Sequence, residues 1–98
     1  MKHDRLEPAM ITSKLEGLSG WEVNADGTAI SKSFKFADFT EAFAFMTRMA
    51  LKAEKLNHHP EWFNVYSKVD VTLSTHSAKG LTDLDFMLAS EMDAAAGD

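Results

Sequence analysis

The sequence predicts an α+β domain: a four-stranded antiparallel sheet with helices packed on one face, in the order helix, hairpin, helix, hairpin, helix. Three observations predict it. Three segments carry apolar residues at helical spacing, two pairs of β-rich runs are each joined by a short turn, and the two patterns alternate along the chain. A chain of 98 residues buries one core rather than two, so residues 1–98 read as a single domain.

The first helix is expected over Leu6 to Leu18. Leu6, Met10, Ile11, Leu15 and Leu18 share a face, Pro8 fits a first turn, and Gly17 and Gly20 lie near the end. Trp21 to Ala25 and Thr28 to Phe36 flank Asp26-Gly27, a strong hairpin signal. In the second run Ile30, Lys32, Phe34 and Phe36 alternate with Ala29, Ser31, Ser33 and Lys35, and Lys32 is the one position that breaks the apolar face. Asp38 is placed to cap the second helix, with Glu41 three residues on. Phe39, Ala42, Phe43, Met46, Met49, Ala50 and Ala53 follow as a stripe, read as core because Met and Phe at helical spacing are far more often packing than a cofactor face. Phe45 and Leu51 fall off that stripe and are expected on a second contact surface, such as a subunit interface.

Pro60 cannot continue a helix and drives His59 towards extended backbone, so the second helix ends before or within His58-His59. Trp62 to Tyr66 and Val69 to Thr75, rich in aromatic and β-branched residues, form the second hairpin, with its turn expected at Ser67-Lys68. Thr82 opens the last helix with Asp85 at the third position of a capping box, and Leu84, Leu88, Met92 and Ala95 carry its apolar side. The tail Ala94 to Asp98 is expected to fray.

Composition narrows the function. Fifteen acidic against 10 basic residues give a formal charge of −5, which disfavours direct nucleic-acid binding because phosphate recognition needs clustered Lys and Arg. The absence of cysteine excludes disulfides and thiolate chemistry. Met1 to Pro8 is charged, and no stretch reaches the ~18 apolar residues of a membrane span, so no membrane association is expected and the cytoplasm is the expected location.

Chemistry concentrates in Glu54-Lys55-Leu56-Asn57-His58-His59-Pro60-Glu61-Trp62, with His76 closing the following strand-like run. Three readings are open. Histidines at a helix end can be solvated caps that interact favourably with the helix C-terminus. A shared metal fits poorly, because neighbours diverge by about 100° on a helix and point to opposite sides of a strand. Divergent imidazoles suit general acid–base catalysis at two ends of one substrate, since a group titrating near ~6.5 supplies both protonation states. Such a group contributes ~10² to 10⁴ in rate, roughly 3 to 5 kcal/mol. Asp85 has two competing roles, helix capping and orienting an imidazole, and the two are not expected to be fully satisfied at once. Trp62 and Tyr66 read as packing residues or as ligand-stacking platforms.

Taken together, the Glu54 to Trp62 segment, Tyr66, Val69, Leu73, Thr75-His76, Gly80-Leu81-Thr82, Asp85, Leu88-Ala89 and Asp93 closely resemble the signature of pterin-4a-carbinolamine dehydratases. The match runs from about Phe43 to Asp93, with weaker agreement at Trp21, Ile30, Phe34, Phe36 and Asp38-Phe39. The resemblance implies a hydro-lyase of tetrahydrobiopterin recycling that converts 4a-hydroxytetrahydropterin into quinonoid dihydropterin, with neither metal nor redox cofactor. It implies His58, His59 and His76 as catalytic histidines with Asp85 as supporting carboxylate. It also implies pterin contacts along Asn57, His58, His59 and Pro60 and along Ser74, Thr75, His76 and Ser77. Implied partners are the pterin substrate, further copies in a homodimer or homotetramer, and an aromatic amino acid hydroxylase as the source of substrate. Animal members also serve as a dimerisation cofactor for a transcription factor, which makes a protein-binding module the alternative. Members of the family carry Asp where Asn57 stands, an acidic residue where Ser77 stands, and more commonly Ile at Met92, so charge near the pterin is lower here.

Overall fold

The computed structural model describes residues 4–97. The elements are α1 (Pro8–Glu16), β1 (Glu22–Val23), β2 (Ile30–Lys35), α2 (Phe39–Leu56), β3 (Glu61–Val65), β4 (Lys68–Leu73), a 3-10 turn at His76–Ala78 and α3 (Asp83–Ala96). Both capping signals act as expected. The Asp38 carboxylate accepts the Glu41 amide at 2.9 Å, and the Thr82–Asp85 capping box forms in both directions. α2 stops because Asn57 takes left-handed backbone (φ 52°), a conformation that Asn tolerates better than most residues. The amide of His58 then bonds the Ala53 carbonyl at 3.0 Å and that of Asn57 bonds Glu54 at 3.2 Å, a Schellman ending immediately before the histidine pair. At the other end of the chain α3 continues through the tail expected to fray, and Gly97 (φ 83°) caps it; Asp98 and Met1 to His3 lie outside the described residues.

All pairings in the sheet are antiparallel, in the order β1-β2-β4-β3. The register Ile30↔Leu73, Phe34↔Val69 and Trp62↔Val71 puts alternate residues of three strands on one face. There Ile30, Phe34, Val69, Val71 and Leu73 are buried with Ala42, Phe45, Met49, Leu88 and Met92 from the helices. Ser31, Ser33, Lys35, Phe63 and Val65 occupy the other, open face. Lys32 belongs to the inner face after all: its ammonium bonds Asp93 Oδ1 at 2.9 Å and the Ser19 carbonyl at 2.7 Å, and stands 4.8 Å from the Phe34 ring centroid. Trp21 Nε1 donates to the same Asp93 oxygen at 3.0 Å.

Three expectations are corrected. Phe45 is fully buried, with its ring centroid 5.0 Å from both Phe34 and Phe36, so it is core and not a second surface. The inward stripe of α2 is Ala42, Phe45, Met49 and Ala53, while Phe39 and Phe43 are exposed, their rings tilted 39° to each other; Leu51 is exposed, as expected. The β3–β4 turn is Tyr66-Ser67, not Ser67-Lys68, since Val65 pairs with Lys68. Asn64 Nδ2 braces it by donating to the Tyr66 and Lys68 carbonyls, and Tyr66 sits at φ 50°. An exposed tyrosine loses little packing here, so Tyr66→Gly is expected to stabilise the fold by about 0.5–1 kcal/mol, read as a higher urea midpoint at unchanged slope.

Candidate active site

The Schellman ending of α2 sends His58 inward and leaves His59 outside. His58 Nε2 lies 2.6 Å from Asp85 Oδ1. The other carboxylate oxygen, Oδ2, accepts the Thr82 amide at 3.0 Å and the Thr75 hydroxyl at 2.8 Å, and the Thr75 and Thr82 hydroxyls are 2.7 Å apart. Capping and imidazole support are therefore satisfied together, contrary to expectation, because the two oxygens of Asp85 divide them. Asp85 and Thr82 are fully buried and His58 and Thr75 nearly so, which excludes water as a competing partner. Among the described residues no buried side-chain N or O lacks a partner, and His58 bonds only through Nε2, so its Nδ1 edge reaches the surface.

The other two histidines are exposed, each with its own carboxylate. His59 Nε2 lies 2.9 Å from Glu54 Oε1, and His76 Nε2 lies 3.1 Å from Glu61 Oε2. Neither glutamate was singled out in the sequence reading, although both lie in the Glu54 to Trp62 segment. Helical spacing would pair Glu54 with His58, but the chain leaves the helix at Asn57 and brings His59 round instead. The imidazoles of the pair diverge, one inward and one outward. Among the described residues no group of three or more His, Cys, Asp or Glu side chains is arranged to hold a metal ion.

His76 is joined to the pair in two ways: Glu61, two residues beyond His59, reaches it directly, and Thr75, its chain neighbour, bonds the Asp85 that holds His58. The three histidines thus belong to one corner, where α2 ends, β3 begins and the loop after β4 passes. A cavity of about 290 Å³ opens beside His76, lined also by Thr28, Ala29, Ser74, Thr75, Lys79 and Gly80, and neither His58 nor His59 is in its lining. Ser77 and Asn57 are exposed and Ser74 and Pro60 half-buried. Gly80 packs closely on Arg5: a Cβ there would stand 2.7 Å from Arg5 Nε and displace that exposed side chain, on the arm that the Leu6 amide pins to the Leu81 carbonyl at 2.8 Å. Thr82 is legible in the sequence as the cap that pairs with Asp85, whereas nothing local marks Arg5 as a neighbour of this corner. A larger cavity of about 540 Å³, between the N-terminal arm and the β1–β2 turn, has no histidine in its lining.

Residues 4–95 match the model of the family described as Pterin 4 alpha carbinolamine dehydratase. A Rhizobium leguminosarum bv. trifolii protein named for pterin-4-alpha-carbinolamine dehydratase is 64% identical, over 98% of this chain and 95% of its own. The crystal structure of a transcriptional coactivator/pterin dehydratase from Brucella melitensis superposes with a TM-score of 0.93 at 52% identity, covering 96% of this chain and 100% of that one. A pterin dehydratase-like protein identified as a RuBisCO assembly factor in the α-carboxysome shares the fold, with a TM-score of 0.70 at 22% identity over 81% of this chain and 92% of that one.

Proposed function

Because the chain belongs to the pterin-4-alpha-carbinolamine dehydratase family of hydro-lyases, we propose that its histidine corner removes water from a 4a-hydroxytetrahydropterin by general acid–base catalysis. The observation that carries this reading is the buried 2.6 Å His58–Asp85 pair, which fixes one inward imidazole at the same corner as two exposed histidines that are themselves paired with carboxylates. The C4a–O bond breaks as an imidazolium protonates the departing hydroxyl, which leaves as water. A neutral imidazole takes the N5 proton, and the C4a=N5 double bond forms, giving the quinonoid dihydropterin. His59 and His76 exchange protons with solvent, while His58 is fixed by Asp85. The pterin lies against Asn57 to Pro60 and Ser74 to Ser77.

An aromatic amino acid hydroxylase supplies the substrate in a cytoplasmic recycling sequence, and the protein self-associates as a dimer or tetramer. The exposed β3 edge, with Phe63 and Val65, offers unpaired backbone groups to a second copy. Among the described residues no helix is long and apolar enough to cross a membrane. The test is to run a pterin-dependent hydroxylase with and without this protein while following the 4a-hydroxy intermediate. The intermediate is expected to stop accumulating when the protein is present; an unaltered lifetime would overturn the reading. A protein-binding role is a second reading, favoured by the coactivator name of the Brucella melitensis protein and by exposed Leu51. A pull-down with wild type and Leu51→Glu tests it, and recovery of only the protein itself counts against it.

A further inference from the structure

The buried end of the site holds a hydrogen-bond chain whose direction follows from counting protons. A threonine hydroxyl donates one hydrogen, and that of Thr75 is committed to Asp85 Oδ2 at 2.8 Å. In the 2.7 Å contact between the hydroxyls, Thr82 is therefore the donor and Thr75 the acceptor. Thr82 Oγ1 in turn accepts the Leu84 amide at 3.3 Å. With the Thr82 amide at 3.0 Å, Oδ2 of Asp85 is occupied by two donors, and only Oδ1 faces His58. We propose that Thr75 is a positioning residue for the dehydration: backed by Thr82, its hydroxyl holds Asp85 as an acceptor-only carboxylate, which keeps the ring proton of His58 on Nε2 and presents Nδ1 to the substrate. Hydrogen bonds to the charged form of a carboxylate favour that form, and at a site this buried no water replaces a lost one. Thr75 acts through Asp85, so its side chain need not touch the pterin. The inference rests on the acid–base reading of His58.

Two variants separate positioning from packing. Thr75→Val keeps the branched shape and removes the hydroxyl; Thr75→Ser keeps the hydroxyl and removes the methyl. Thr75→Val is expected to lower kcat by roughly 10- to 100-fold, and Thr75→Ser, which restores the hydroxyl, to recover most of that loss. Nitrogen-15 NMR of the labelled imidazoles gives a readout independent of activity. Wild type and Thr75→Ser are expected to carry the His58 proton on Nε2, and Thr75→Val to show mixed tautomers. A wild-type kcat together with an unchanged His58 spectrum in Thr75→Val overturns the proposal, as does Thr75→Ser behaving like Thr75→Val. If Thr75→Val does not fold, a proton on Nδ1 of His58 in the neutral ring of wild type or Thr75→Ser overturns it. An inactive wild type removes the dehydratase reading and leaves the NMR result to decide the hydrogen-bond chain; an active wild type with an unaffected Thr75→Val removes only the chain.

Discussion

Asp85→Asn is expected to keep the fold and lose turnover, whereas Asp85→Ala is expected to lose both. Alanine leaves the Thr82 amide, the Thr75 hydroxyl and His58 Nε2 without their shared acceptor in a fully buried place. Each buried donor left without its acceptor costs about 1–3 kcal/mol, and three at once remove a large part of the ~5–15 kcal/mol that holds a domain together. Asparagine has the same shape, and its carbonyl still accepts from Thr82 and Thr75. Its amide group, however, meets His58 Nε2 as a donor, so Nε2 must become an acceptor and the ring proton must move to Nδ1. In serine-protease triads the same exchange selects the wrong tautomer at a cost of about 10⁴ in rate. Here we expect a loss of ~10² to 10⁴ in kcat for Asp85→Asn, with a urea midpoint much closer to wild type than that of Asp85→Ala. A fully active Asp85→Asn would mean that the carboxylate serves only to cap α3.

The second large effect lies at the opposite end of α3. Asp93→Ala takes the carboxylate from Lys32 and the acceptor from Trp21 at once, with the Lys32 side chain only 10% exposed. We expect a loss of about 3–5 kcal/mol in urea unfolding. Because a well-packed apolar pair commonly replaces a buried ion pair without loss, Lys32→Met combined with Asp93→Leu is expected to recover most of it. A single-variant cost under about 1 kcal/mol would place the pair with ordinary surface salt bridges.

The contrast between these sites shows what the sequence makes legible. The caps at Asp38 and Thr82, the Asp26-Gly27 turn and the end of α2 before His58 depend on residues within a few positions of one another, and local rules find them. Lys32 could only be noted as a break in the pattern, because its partner is 61 residues away and reaches it through tertiary packing. Phe45 was misplaced because Phe39 and Phe43 make an equally good helical stripe, and only the ring packing against Phe34 and Phe36 decides which face turns inward. The β3–β4 turn was shifted by one residue because serine is a commoner turn former than a left-handed tyrosine.

The candidate site follows the same division. The histidines and Asp85 are identified by residue type and spacing. The pairing of each imidazole is not, since it depends on where the chain leaves α2 and on which oxygen of Asp85 faces which donor. Capping and imidazole support exclude each other only for a carboxylate with a single role; the two oxygens of Asp85 divide them, and the Thr75 hydroxyl bonds the capping oxygen.

The most direct test is the single-turnover rate of 4a-hydroxytetrahydropterin loss with wild-type protein and with His59→Ala, whose side chain is exposed and whose removal leaves the core intact. Acid–base catalysis at this corner predicts a clear acceleration by wild type and its reduction by ~10² or more in the variant. Equal acceleration by both would contradict a catalytic role for His59, and no acceleration by either would contradict the dehydratase itself.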